Sequence, residues 1–85
     1  AAEAKARERG AQAGKALLEL GRALEQARDL EGAEARYGEA AELLPDDPAP
    51  LEARASVRER AGDVSGALND RIEAKTRKDR GTAPQ

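Results

Sequence analysis

Large apolar side chains are rare along this chain, and where they occur they recur at helical intervals. Leu17, Leu20 and Leu24 stand at i, i+3 and i+7 with Gly21 beside them. That is the spacing of one face of an amphipathic helix over about residues 15–27. Ala33, Tyr37 and Ala40 fall at i, i+4 and i+7 and mark the inner face of a second helix over 30–44, with Asp29 as its N-cap. Pro45-Asp46-Asp47-Pro48 is the strongest break in the chain. Asp47 as N-cap and Pro48 as first helical residue open a third helix, which runs over 49–61. Ala61-Gly62 closes it, Asp63 caps again, and a fourth helix spans Val64 to Arg80. No alternating strand pattern is present. The connections are short, so neighbouring helices must fold back antiparallel. The fold class predicted is all-α, a set of stacked helical hairpins.

The ends carry less information. Residues 1–13 are rich in helix formers but contain no large apolar group. They read as a helical extension of the first hairpin, or as the remnant of a preceding helix. The chain does not begin with methionine, and a fragment of a longer protein is the expectation. Residues 81–85 read as a disordered tail. The domain proper is then 14–80.

The two halves repeat. Leu17 returns as Leu51, Leu30 as Val64, Ala33 as Ala67 and Ala40 as Ala74, each 34 residues on. A period of this length with small residues at fixed offsets signals hairpins that stack side by side and bury a continuous core between them. Counting from Gly14, the chain supplies Leu17, Leu20, Gly21, Leu24, Ala33, Tyr37, Ala40 and Pro45 at the positions where the tetratricopeptide repeat (TPR) family has large, large, small, large, small, aromatic, small and proline. Residues 14–47 thus resemble one well-matched TPR unit, and 48–79 a degenerate one. The resemblance implies a short α-solenoid. Gly21, Ala33 and Ala40 would sit where two helices cross closely, and Leu17, Leu20, Leu24 and Tyr37 would fill the space around them.

The second unit keeps Leu51, Ala55, Ala67 and Ala74 but places Arg54, Arg58 and Arg71 where large apolar groups belong, and Asp79 where the closing proline would be. A buried guanidinium without a partner is prohibitive, so these side chains must reach water or a carboxylate. Three roles compete for them. Arg58 and Arg71 could form the polar face of a terminal unit, pair with acidic residues of a second copy in self-association, or bind an anion.

Composition narrows the function. Twenty of the apolar residues are alanine, leaving nine Leu, two Val, one Ile and one Tyr as sizeable groups, so the core must be thin. With 15 basic and 17 acidic residues, the chain lacks the basic excess of a phosphate-backbone binder, and no nucleic-acid partner is expected. No run of about 18 apolar residues predicts a membrane span. Cysteine and histidine are both absent. The first is compatible with a reducing compartment, with the cytoplasm as the expectation. The second removes the commonest general base and metal ligand.

No chemical motif is present. Glu31-Gly32 and Ser65-Gly66 lie at helix starts without the lysine of a phosphate loop. Asp46-Asp47 is a turn, not half of a calcium loop. Ser56, Ser65 and Thr76 have no histidine to activate them. The basic cluster Arg71, Lys75, Arg77, Lys78 and Arg80 reads as a helix end suited to its own C-terminal dipole. No catalytic residue, metal site or cofactor is expected, and the chain is read as a non-enzyme.

The TPR resemblance implies instead a protein–protein interaction module that binds a peptide or protein segment in the groove of its first and third helices. The groove positions carry Lys15, Leu18, Glu19, Arg22, Glu25 and Gln26, then Ala49, Glu52, Ala53, Ser56, Glu59 and Arg60. Those expected to reach a partner are Lys15, Glu19, Arg22, Gln26, Ser56 and Arg60. Glu19 and Ala53 replace the asparagines of the subclass that clamps chaperone C-termini, so that ligand is not expected. The alternative reading is a structural self-assembly element, a homo-oligomer or a docking unit for further repeats.

Overall fold

A computed structural model describes the backbone of residues 2–82 and the side chains of residues 5–81. Four helices follow one another: α1 (Ala2–Gln26), α2 (Leu30–Leu43), α3 (Ala49–Arg60) and α4 (Val64–Thr82). α1 packs on α2, α3 on α4, and α2 on α3, so two hairpins are joined through the second helix of the first. The molecule measures 43 × 27 × 14 Å. All helices of the described residues fall within a residue or so of the sequence-predicted bounds, except at the two ends. The segment before Gly14 continues α1 without a break. α4 runs on through Gly81 and Thr82, so these two belong to the helix rather than to a tail. Residues 83–85 of the expected tail lie outside the described residues.

The same turn is built twice, 34 residues apart, by backbone hydrogen bonds. Asp29 N–H donates to the Leu24 carbonyl (2.8 Å) and Arg28 N–H to that of Glu25 (3.0 Å). Asp63 N–H donates to Arg58 (2.7 Å) and Gly62 N–H to Glu59 (3.1 Å). This is the Schellman closure of a helix. It needs a left-handed residue, supplied by Arg28 (φ 67°) in one turn and Gly62 (φ 92°) in the other. The next residue then starts the following helix. Asp29 Oδ1 accepts from Gly32 N–H and Asp63 Oδ1 from Gly66 N–H, both at 2.9 Å. Between the hairpins, Asp47 Oδ1 accepts from Ala49 N–H (2.9 Å). Pro48 occupies the cap position itself and the helix begins at Ala49.

The core lies where α1, α2 and α3 meet. Leu18, Ala33, Tyr37, Ala40 and Val57 are buried together, with Leu17, Leu24 and Leu30 packed against them. A smaller cluster of Ala41, Leu51 and Ala74 joins α2, α3 and α4. Gly21 faces the Tyr37 ring so closely that a Cβ on it would stand 2.5 Å from Cε1. The close crossing expected of Gly21, Ala33 and Ala40 is therefore present.

The leucines on α1 divide differently from expectation. Leu18, read as a groove residue, is 7% exposed and belongs to the core, whereas Leu20, read as core, is 46% exposed. α3 lies beside α1 on the Leu18 flank, where Val57 receives it. On the Leu20 flank no helix stands among the described residues. Val57, fully buried at the centre, carried no mark in the 34-residue pattern because its counterpart is the exposed Ala23.

Candidate interaction surface

The filling of the second hairpin is ionic. Asp70, on the inner face of α4, is only 3% exposed. Both of its oxygens are held by Arg54, through Nε (3.0 Å) and Nη2 (2.7 Å). Arg58 Nη1 approaches the same carboxylate at 3.1 and 3.2 Å, while its Nε donates to Glu34 Oε1 on α2 at 2.8 Å. The two arginine side chains are 23% and 22% exposed. The hydrogen bond to Glu34 raises the Arg58 pKa, burial opposes this, and the Asp70 charge adds to the rise. Fork-on-carboxylate geometry satisfies the guanidiniums that the sequence placed at apolar positions. Gly38 makes room for them, since a Cβ there would lie 3.0 Å from Arg54 Nη1.

Arg58 is thus held between α2, α3 and α4 and does not face the open end of the stack, where the terminal-cap and self-association readings put it. Arg71 is exposed on α4 and paired with Glu59 of α3. The open face of α4 presents Val64, Leu68 and Ile72 instead. Arg77 also departs from its reading as part of a solvated helix end. Its Nη1 reaches the carbonyls of Ala41 (3.0 Å), Leu44 (3.1 Å) and Asp47 (3.3 Å), and so closes the C-terminus of α2 rather than of its own helix.

The groove side is organised by one carboxylate. Glu25 Oε1 accepts from the Tyr37 hydroxyl at 2.7 Å and Glu25 Oε2 from Arg60 Nη1 at 2.8 Å. This fastens the end of α1 to the end of α3 over the aromatic ring of α2. Burial pushes the Tyr37 phenol well above its ordinary pKa, and the hydrogen bond to the Glu25 carboxylate and its charge push it further. Of the residues expected to reach a partner, Lys15, Glu19, Arg22, Gln26, Ser56 and Arg60 are all exposed. Arg22 Nη1 pairs with Glu19 at 2.6 Å, within one helix. The Ser56 hydroxyl donates to the Glu52 carbonyl at 3.3 Å. Lys15, Glu19, Arg22 and Gln26 form one stripe along α1 at i, i+4, i+7 and i+11.

Among the described residues, no three acidic, histidine or cysteine side chains are grouped to hold a metal ion. No helix among them is long and apolar enough to cross a membrane. The sequence signal that could have found the ionic cluster is the arginine at i and i+4 on α3 (54, 58) facing Asp70, one residue short of the aligned Arg71. No protein-family model matches this chain, and no curated protein or solved structure matches it.

Proposed function

We propose that this chain is a non-enzymatic protein-interaction module, a pair of TPR-like hairpins that holds an extended, polar peptide segment along α1 and α3. The observation that carries the reading is the Arg60–Glu25–Tyr37 bridge. It sets the two helices side by side as a fixed frame, outside which Lys15, Glu19, Arg22, Gln26 and Ser56 stand exposed. The helices that carry these side chains are already held in place, so the backbone loses little freedom when a ligand arrives. The mix of charges selects a segment carrying both signs, and the binding is salt-sensitive because the surface is open to solvent.

A displayed peptide library selected on the chain supplies the ligand, and fluorescence anisotropy measures its affinity. Arg22→Glu is expected to weaken binding and leave the helical signal unchanged, because Arg22 is exposed and points away from the core. A selected peptide whose affinity is indifferent to charge reversal at both Arg22 and Lys15 would refute the groove assignment.

A further inference from the structure

The two open ends of the molecule are apolar, and they match each other through the geometry of its middle. α4 exposes Val64 (67%), Leu68 (57%) and Ile72 (58%) at i, i+4 and i+8, a continuous stripe along one helix face. Thirty-four residues earlier, the same positions on α2 are Leu30, Glu34 and Gly38. Those are the positions with which α2 receives α3: Glu34 takes Arg58 and Gly38 faces Arg54. The stripe on α4 is therefore the face that, one hairpin earlier, seats the following helix.

The other end completes the match. On α3, Arg54 and Arg58 meet α2, as do Leu51 and Val57 of the two apolar clusters; their counterparts on α1 are Leu20, Leu24, Leu17 and Ala23. Leu20 is nearly half exposed and Leu24 is half-buried. Within the chain the junction thus pairs Gly38 with Arg54 and Glu34 with Arg58. Between two chains the same step would pair Ile72 with Leu20 and Leu68 with Leu24. Each small-with-long or acid-with-base pair is replaced by two medium apolar side chains, which keeps the space filled. At these two pairs no charge is stranded, because the acid and the bases are lost together; Arg71, which takes the place of the buried Tyr37, is exposed and keeps Glu59 as its partner. Arg36, which takes the place of Asp70 beside this face, already has Glu39 at 2.8 Å. Lys75, which takes the place of the buried Ala41 at the end of the stripe, pairs with Asp79 and is well exposed, so its charge can stay in water.

We propose that copies of this chain stack head to tail, the Val64–Leu68–Ile72 face of one copy seating the Leu20–Leu24 face of the next as α2 seats α3. The surfaces on the two sides differ, so the association is heterologous and does not stop at a dimer unless the superhelix closes. Each added copy also lengthens the polar groove by two helices, although the stacking does not depend on what that groove holds.

Sedimentation velocity over about 10 µM to about 1 mM tests the stacking. The wild type is expected to pass beyond dimer mass as concentration rises. Leu20→Glu blocks one end and Leu68→Glu with Ile72→Glu the other, so each variant alone should sediment as a monomer. Mixed in equal amounts, they should give a dimer and nothing larger, since each retains the end the other lacks. Circular dichroism checks that both remain helical. If the double variant loses its helix, Val64→Glu, at the most exposed of the three positions, replaces it. A wild type that stays monomeric throughout overturns the proposal. So does a Leu20→Glu variant that still self-associates, which would mean that two α4 faces pair with each other, and so does a mixture that stays monomeric.

Discussion

Replacing Asp70 with asparagine is the sharpest test of how the second hairpin holds together. The carboxylate is almost wholly buried and takes Arg54 on both oxygens and Arg58 on the remaining lone pairs. Asparagine keeps the shape but offers one accepting oxygen, and its amide N–H groups point donors at donors. Arg54 is left with no carboxylate among its hydrogen bonds, and Arg58 keeps Glu34, with Asp63 more distant at 3.9 Å. Removing one member of a buried ion pair costs about 3–5 kcal/mol. Both guanidiniums are about one-fifth exposed, so water compensates in part and the expectation is the lower end, about 3 kcal/mol. An 85-residue domain has a total stability of about 4–13 kcal/mol, and a loss of this size lowers the melting temperature by about 12–24 °C.

The contrasting variant changes Arg54, Arg58 and Asp70 to leucine together. It removes both signs, leaves Glu34 where water reaches it, and is expected to equal the wild type or exceed it by about 1–4 kcal/mol. Urea titration followed by circular dichroism at the helical band measures both, with an unchanged slope showing that the same surface is exposed on unfolding. The reasoning fails if Asp70→Asn lies within about 1 kcal/mol of the wild type. It fails equally if the triple leucine variant is the least stable of the three, since the site would then depend on its charges rather than merely tolerate them.

Two further outcomes separate local effects. Gly21→Ala should destabilise by about 1–3 kcal/mol by driving a Cβ into the Tyr37 ring, whereas Gly10→Ala, with open space around it, should add helix and gain up to about 1 kcal/mol; thermal melts that rank them in the reverse order would refute the crossing. Tyr37 is the sole tyrosine, and its raised pKa stabilises the fold fully below the unfolded value of about 10, a contribution lost as pH rises above it. Comparing wild type with Tyr37→Phe isolates this effect from lysine titration, and an alkaline loss of stability equal in the two would show that the phenol is not responsible.

Much of the fold was legible because helix boundaries here are set locally. Asp29, Asp63 and the proline-bounded turn at 45–48 fix three helix starts by side-chain and backbone chemistry within a few residues. The long-range placements were harder to read. A 34-residue alignment ranks Leu20 above Leu18, but burial depends on which flank of α1 carries a neighbour, and α3 stands on the Leu18 side. The arginines of α3 signalled only that water or a carboxylate must meet them. The identity of the carboxylate was not marked, because Asp70 becomes a partner only when α4 lies antiparallel to α3 in this register. Arg77 misled for a related reason: a basic residue near its own C-terminus suits that dipole, and only the packing of α4 brings it to the end of α2. Lys15, Glu19, Arg22 and Gln26 do stand exposed, since a stripe at i, i+4, i+7 and i+11 follows from helix geometry alone.

The distribution of charge within this short stack has a consequence for assembly. Arg54 and Arg58 occupy the positions on α3 that Leu20 and Leu24 occupy on α1, while Glu34 and Gly38 on α2 correspond to Leu68 and Ile72 on α4. A hairpin carrying the arginines cannot dock on an apolar α4 face without burying two guanidiniums against leucine and isoleucine. A hairpin carrying the leucines, placed on α2, would leave Glu34 facing them unpaired. The ionic junction therefore matches an α2 face to an α3 face, and in the stacking proposed above the apolar faces serve the contact between copies. Such a division uses a cluster of modest net stability to fix which helix follows which. On that proposal the charged filling stands at the internal junction, where the covalent chain already supplies proximity, and the apolar residues stand at the ends, where association would have to supply its own driving force.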